Sequence, residues 1–379
     1  MSILLAIATL GLKLLYLLFR PFPVSNKVVM LSRESDSEPI DFMLLRQALE
    51  ELSPETEVVS FCRKQTKSTN PFSYSLFLFR SLYHIATARV AVTDTYSIPL
   101  CVLHHKKELK IVQIWHALGA VKQFSYQCLD RPGGRSSKMA QQMKMHRNYD
   151  YILCASEATR EIYAQAFDTP VERILPIGMP RVDYIQRPAP GLRERFLSRR
   201  PELRGKLLLL YLPTFREGVD EGVERMVSAA AQWEDSAALL VKPHPLSRFP
   251  LPAVNRTGKE WSTYDLMKIC DAVITDYSAS SLEAALLHKP VYFYLFDKES
   301  YIRSQGLNID PEEELPLASF RQAEALMKSA VSGGYDIQAL NRYCERYVET
   351  AQENNTQSVA RFICQLLREE VPVQAGQTV

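Results

Sequence analysis

Short runs of β-branched and aliphatic residues alternate with amphipathic stretches along most of the chain. KVVML, EVVSF, RVAVT, KIVQIW, YILCA and RILPI read as strands. The segments between them, DFMLLRQALEEL and PFSYSLFLFRSLYHIATA among others, repeat apolar residues at helical spacing. Strands without polar alternation, interleaved with helices, predict a parallel sheet covered on both faces. A second series, LLLLYLP, AALLVKP, AVITDY and VYFYLF, goes with helices around 218–231, 263–270 and 280–288. Between the series, residues 186–205 are rich in proline and arginine and read as an interdomain linker or a short helix between turns. From about residue 320 the pattern is helical, and no internal repeat is visible. The expected fold class is α/β, with two doubly wound, Rossmann-like domains over 21–190 and 200–335 facing a central cleft, and C-terminal helices over 336–379.

Residues 2–19 break the pattern, being almost wholly apolar, interrupted by Lys13 and closed by Arg20 and Pro21. A helix of that length spans roughly 27 Å, just short of a bilayer core. A signal peptide lacks support, since there is neither a basic start nor a small-x-small cleavage site. A spanning helix requires Lys13 to snorkel, whereas an interfacial helix accommodates it directly. Residues 1–20 are therefore expected to associate with a membrane, the alternative being a core helix of the first domain. If the segment spans, Arg20, Lys27 and Arg33 place the body on the cytoplasmic side. A second basic stretch, 131–147, carries Arg131, Arg135, Lys138, Lys144 and Arg147 without an acidic residue. It reads either as a solvated face or as a contact for anionic headgroups.

Composition adds mainly exclusions. A hydrophobic content of 46% with 23% charged residues fits soluble globular domains, not a disordered, fibrous or polytopic chain. With 45 basic against 43 acidic residues, bulk charge gives no support for nucleic-acid binding. The seven cysteines are widely spaced without a CxxC pair, so neither a disulfide framework nor a zinc site is expected. No GxGxxG or P-loop occurs either.

In open parallel sheets, ligands sit beyond the carboxyl ends of the strands. Three strand ends carry candidate chemistry. In KIVQIWHALGAVK the strand is expected to finish at Trp115, which puts His116 at the sheet edge, with Gly119 and Lys122 following. Histidine there suits a general base, or a structural hydrogen bond at a strand end. In LLVKPHP, prolines fix the backbone so that Lys242 and His244 project outward, a pairing suited to a phosphate leaving group. In DAVITDYSASSLEAALLHKP, a strand ends at Thr275 and Asp276, and a helix starts near Ser278, Ser280 and Ser281. Small residues and free N–H groups suit an anion, and Glu283 one turn on could reach a ribose hydroxyl; a serine cap without ligand is the alternative.

Taken in order, QIWHALGAVK, ILPIGMPRVDYI, LYLPTFRE, KPHP and CDAVITDYSASSLEAALLHKPVYFY resemble the CDP-glycerol glycerophosphotransferase family, the teichoic acid primases and polymerases. The resemblance runs from roughly 85 to 305. It implies a GT-B fold, with an acceptor-binding N-terminal domain and a C-terminal domain for the CDP-activated donor. It places the family's base on His116 and its leaving-group motif on Lys242, His244 and Pro245. Thr275, Asp276, Ser278, Ser280, Ser281, Glu283 and Arg216 fall to the donor side, while Lys122, Arg181 and Asp183 fall to the acceptor side or cleft. Ala117 and Ala279 stand where many members carry glycine and serine, and Glu283 where many carry aspartate.

The implied activity is transfer of glycerol phosphate from CDP-glycerol to a hydroxyl on an undecaprenyl-diphosphate-linked saccharide or polyol-phosphate acceptor at the cytoplasmic membrane surface. CMP leaves, and neither metal nor cofactor is required. CDP-ribitol or another CDP-polyol, or a capsular acceptor, is the near alternative. A nucleotide-sugar glycosyltransferase of the same fold and a catalytically silent membrane scaffold lie further off.

Overall fold

The computed structural model describes residues 2–64, 71–132, 134–216, 221–244, 247, 250–348 and 354–369. The chain divides into two α/β units assembled from separate stretches. One comprises Met1–His116, Arg135–Arg181 and Thr350–Val379, the other Ala117–Gly134 and Val182–Glu349.

The first unit holds a parallel sheet of β1 (Lys27–Ser32), β2 (Glu57–Cys62), β3 (Val90–Thr93), β4 (Lys110–Gln113), β5 (Tyr151–Leu153) and β6 (Ile174–Leu175). Their spatial order is β2-β1-β3-β4-β5-β6, so the winding reverses between β1 and β3. Helix Ile40–Leu52 follows Pro39, carries Asp41 in its first turn and buries Phe42, Leu45 and Leu49 along one stripe. Helix Asn355–Arg368, capped by Asn354 accepting from the Gln357 N–H, lies against it. Val359, Ile363 and Leu367 join Phe42, Leu45, Met30 and Val92 in one core.

The second unit is built on β7 (Leu207–Leu212), β8 (Ala237–Val241), β9 (Ala272–Thr275), β10 (Val291–Tyr294) and β11 (Ser319–Phe320), all parallel. Their order is β11-β10-β9-β7-β8, again with a reversal, here between β7 and β9. The proline-rich stretch is part of this unit. Its helix Leu192–Arg199 buries Phe196 against Trp261, ring centroids 5.3 Å apart, and pairs Arg193 with Asp271 at 2.9 Å.

Several boundaries differ from the sequence reading. The strand expected to run to Trp115 ends at Gln113, because the Gln113 side-chain oxygen takes the Trp115 N–H at 2.8 Å and Trp115 turns to φ 52°. The helix expected over 280–288 stops at Ala285, with His288 at φ 52° and Lys289 preceding a proline. The tail is not helical throughout, since Ser319 and Phe320 pair with β10 and glycines at 333 and 334, both at positive φ, end helix Ala323–Ser332. The helix expected from 218 begins at Glu221; positions 217–220 and 370–379 lie outside the described residues.

Helix Ser2–Leu17 turns Leu12 and Tyr16 inward, and Phe19 follows them. Tyr16 meets His105 Nδ1 at 3.0 Å, and Phe19 sets its ring edge-on to Phe79. Ile7, Leu10, Leu14 and Leu17 on the outer side are all more than half exposed, as is Leu76, at 54%, on helix Pro71–Thr87, which this helix contacts. Among the described residues, no helix is long and apolar enough to cross a membrane. Within the basic stretch, Arg131 donates to the Gln305 carbonyl at 3.0 Å and Arg147 pairs with Asp168; Gly133 lies outside the described residues.

Candidate active site

In the second unit, β9 runs fully buried into Thr275 and Asp276, neither of which is exposed. The Thr275 hydroxyl donates to the Leu212 carbonyl at 2.9 Å, tying β9 to the end of β7. Asp276 accepts from the Thr214 N–H at 3.0 Å, from the Tyr277 N–H at 2.7 Å and from Arg216 at 2.9 Å. This carboxylate thus shapes the turn Pro213–Arg216 instead of facing a ligand. Arg216 is clamped on its other side by both oxygens of Asp297, at 2.7 and 3.0 Å, with the Phe296 ring 4.8 Å from its guanidinium carbon. Burial opposes the Arg216 charge, but the hydrogen bonds to Asp297 and the field of Asp276 outweigh it and raise its pKa. Tyr277, stacked on Tyr301 at 3.9 Å, donates to Asp297 at 3.1 Å; burial and the two carboxylates keep its phenol protonated.

A cavity of about 960 Å³ opens above these residues, and Lys122, Arg216, Lys242, His244, Ser278 and Ser280 all line it. Lys242 extends from the end of β8, its ammonium donating to the Trp261 carbonyl at 2.7 Å and reaching Gly258 at 3.4 Å. Loss of hydration lowers its pKa. His244 sits 5.5 Å from the Phe215 ring, and the following Pro245 is outside the described residues. The Ser278 hydroxyl takes the Ser280 N–H at 3.2 Å and donates to the Ser280 hydroxyl at 3.1 Å.

Other predicted residues are placed elsewhere. Ser281 is fully buried, its hydroxyl donating to the Ser278 carbonyl at 2.9 Å and meeting the Tyr343 hydroxyl at 2.8 Å. Glu283 accepts from Tyr264 at 2.9 Å. Neither lines the cavity, and neither do Thr275 and Asp276 behind it. Asp183 occupies the first turn of helix Pro180–Gln186, half-buried.

His116 belongs to the first unit, just past the carboxyl end of β4. Its Nδ1 lies 3.0 Å from the Asp94 carbonyl oxygen. A carbonyl only accepts, so the neutral ring carries its proton on Nδ1 and keeps the Nε2 lone pair for another partner. Trp115, held at φ 52° against Phe167 and His146, stacks obliquely on the His116 ring at 4.2 Å. Arg181 donates to the His116 carbonyl and forms a bidentate pair with Asp41, which is 1% exposed. Arg181 therefore positions the His116 backbone.

Asp94 directly follows β3 at the reversal between β1 and β3, accepting from Ser32 at 2.8 Å on one oxygen. The other oxygen is buried and meets no partner among the described residues. Burial pushes this carboxyl up to about 7; the Ser32 bond and Arg181 oppose that rise, while Asp41 and Glu34 add to it. Asp94, Asp41 and Asp297 escaped the sequence reading. A signal for the first existed, since VTD at 92–94 recurs as ITD at 274–276, each ending a strand at a reversal point. Among the described residues, no group of three metal-ligating side chains is placed to hold an ion.

The sequence profile of the family described as CDP-Glycerol:Poly(glycerophosphate) glycerophosphotransferase matches residues 14–365. A teichoic acid ribitol-phosphate primase of Bacillus spizizenii is 32% identical over 361 residues, covering 90% of this chain and 92% of that protein. A teichoic acid glycerol-phosphate primase of Bacillus subtilis is 25% identical over 300 residues, 77% of each chain. Among solved structures, a histidine-to-asparagine variant of the wall teichoic acid polymerase TagF soaked with CDPG matches with a TM-score of 0.70. It covers 97% of this chain and 98% of that one at 17% identity, which shows a shared GT-B-like fold.

Proposed function

The chain belongs to the CDP-glycerol:poly(glycerophosphate) glycerophosphotransferase family, and from that premise we propose that it transfers a polyol phosphate from a CDP-polyol to a hydroxyl of a teichoic acid intermediate. The observation that carries this reading is the cavity at the carboxyl ends of β7, β8 and β9, where lysines, a histidine and serine hydroxyls converge. Such a wall suits a nucleoside diphosphate. The acceptor oxygen attacks the β-phosphorus and gives its proton to His116 Nε2. The bond from that phosphorus to the bridging oxygen breaks, and CMP departs with its new charge met by His244 and neighbouring donors.

Glycerol is the polyol that the sequence motifs suggest. Ribitol is a second reading, favoured by the ribitol-phosphate primase that is 32% identical and matched over 92% of its length. Addition of a first unit, as a primase, fits both curated relatives named above. The acceptor is proposed to be an undecaprenyl-diphosphate-linked saccharide or polyol phosphate. The protein would meet it on the cytoplasmic face of the membrane, with the exposed side of helix Ser2–Leu17 against the lipid.

The test is CMP release from CDP-glycerol and, separately, CDP-ribitol, with and without a lipid-linked disaccharide. Acceptor-dependent release from one donor supports the reading and fixes the polyol. No release from either, with turnover of a UDP- or GDP-sugar instead, overturns it in favour of a glycosyltransferase.

A further inference from the structure

Two of the three cationic side chains named in the cavity wall are engaged by the protein itself. Arg216 is held between Asp276 and Asp297, and the Lys242 ammonium donates to two backbone carbonyls. The set Arg216, Asp276 and Asp297 has one positive and two negative charges, a net repulsion toward any phosphate nearby. An anion entering here needs a cation from elsewhere.

Lys122 stands apart from both. It lies on the segment Ala117–Gly134, which continues from His116 but belongs to the second unit. Its main chain forms an antiparallel bridge with Leu307, its carbonyl accepts from Asn308 at 3.2 Å, and the next N–H donates to Gly306 at 3.0 Å. Upstream, a Cβ at Gly119 would stand 2.2 Å from Leu282 Cδ1, so glycine there lets the segment pack closely on Leu282 without displacing its side chain. The Lys122 backbone is thus fixed, while its side chain is exposed to the cavity. Among the described residues, the neighbours acting on its ammonium do so through charge and not through a hydrogen bond.

We infer that Lys122 is a donor-binding residue whose ammonium pairs with the diphosphate of the CDP-polyol, an assignment that rests on the proposed reading of the cavity. It shares the cavity wall with Arg216 and Lys242 and adds its charge to that of Lys242, whose ammonium is turned toward backbone carbonyls. Lost hydration between the cavity walls lowers its pKa, and Arg216 lowers it further, while Asp276 and Cys128 work the other way. A bound diphosphate would relieve that cost. From sequence, Lys122 was expected on the acceptor side or in the cleft; the proposal makes it a donor contact.

Calorimetric titration of the full-length protein with CDP and with cytidine tests the assignment, using wild type, Lys122→Met, Lys122→Gln and Lys122→Arg. Loss of one charge-assisted contact predicts CDP binding weakened about tenfold or more in Lys122→Met and Lys122→Gln. Cytidine binding should be unchanged, and Lys122→Arg should keep most of the CDP affinity. Using both neutral variants keeps the test valid if one fails to fold. CDP binding like wild type in a folded neutral variant overturns the assignment alone. A wild-type protein that binds no CDP overturns the donor reading, and the assignment with it.

Discussion

Thr93 and Thr275 make the same kind of hydrogen bond in the two units: each hydroxyl donates at 2.9 Å to a carbonyl at the carboxyl end of the neighbouring strand, Leu31 and Leu212 respectively. Each is followed by a buried aspartate, and there the likeness ends. Asp276 is satisfied by backbone N–H groups and Arg216, whereas among the described residues Asp94 has one hydroxyl partner and an unmatched oxygen. One aspartate builds a loop. The other stays strained by its own burial while its backbone carbonyl orients His116.

That contrast predicts a pH-dependent gain from Asp94→Asn. With the folded carboxyl pushed up to about 7, the native chain holds a proton between about pH 4 and 7 that the unfolded chain releases. Stability from this group is therefore complete at low pH and declines as pH rises toward 7. Asparagine should stabilise the protein by on the order of 2 kcal/mol at pH 8 and much less at pH 5. Scanning calorimetry at both values checks this, and equal shifts would show that the ionised carboxylate is well accommodated.

Removing Asp41 has the opposite sign. Asp41→Ala strands the Arg181 guanidinium, 11% exposed, without its carboxylate. The expected loss is about 3–5 kcal/mol, read from urea unfolding. In a partly stabilised background, turnover should fall as the His116 backbone loosens, with CDP affinity unchanged because the cavity belongs to the other unit. A fall in CDP affinity of similar size would contradict that separation.

For the two histidines, His116→Ala and His244→Ala should each lower turnover at least about a hundredfold while the thermal midpoint barely moves. A variant with wild-type kinetics would leave the mechanism without that residue.

Ser280 and Ser281 should behave differently despite being neighbours. Ser280→Val places a branched side chain on the cavity wall and should weaken CDP binding. Ser281→Val removes the partner of Tyr343 in the interior and should cost about 1–3 kcal/mol of stability, with CDP affinity nearly unaltered in the folded fraction. The pair of measurements fails if both variants lose affinity equally.

At the amino terminus, replacing Ile7, Leu10 and Leu14 by serine should reduce sedimentation with anionic vesicles without lowering the thermal midpoint, since these side chains are exposed. Deleting residues 1–20 is a harsher change, because it also removes Leu12, Tyr16 and Phe19 from the first unit and should lower stability. Unchanged vesicle binding by the triple serine variant would remove this helix from membrane contact.

Strand order of appearance was legible because each strand is a short buried apolar run, and strand ends pointed to His116, Lys242 and His244. Pairings over long sequence distance were not. Arg181 and Asp41 are 140 positions apart, and nothing local marks either as the other's partner. Ser281 and Glu283 looked like ligand groups because spacing alone does not tell which side of a short helix faces Tyr343 and Tyr264. That Lys122 clusters with the second unit was not legible either, because the chain changes units directly after His116, a crossing that leaves no compositional mark.

The return of helix Asn355–Arg368 to the first unit bears on the order of events during synthesis. The ribosome delivers Phe42, Leu45 and Leu49 before the second unit, but Val359, Ile363 and Leu367, which close the same core, emerge only after it. Until then the nascent chain carries an uncovered apolar groove, at which chaperones or premature aggregation compete. A nonsense codon anywhere before residue 355 would therefore leave the first unit without its lid, so truncation just after the second unit should damage solubility as much as a lesion within helix Ile40–Leu52.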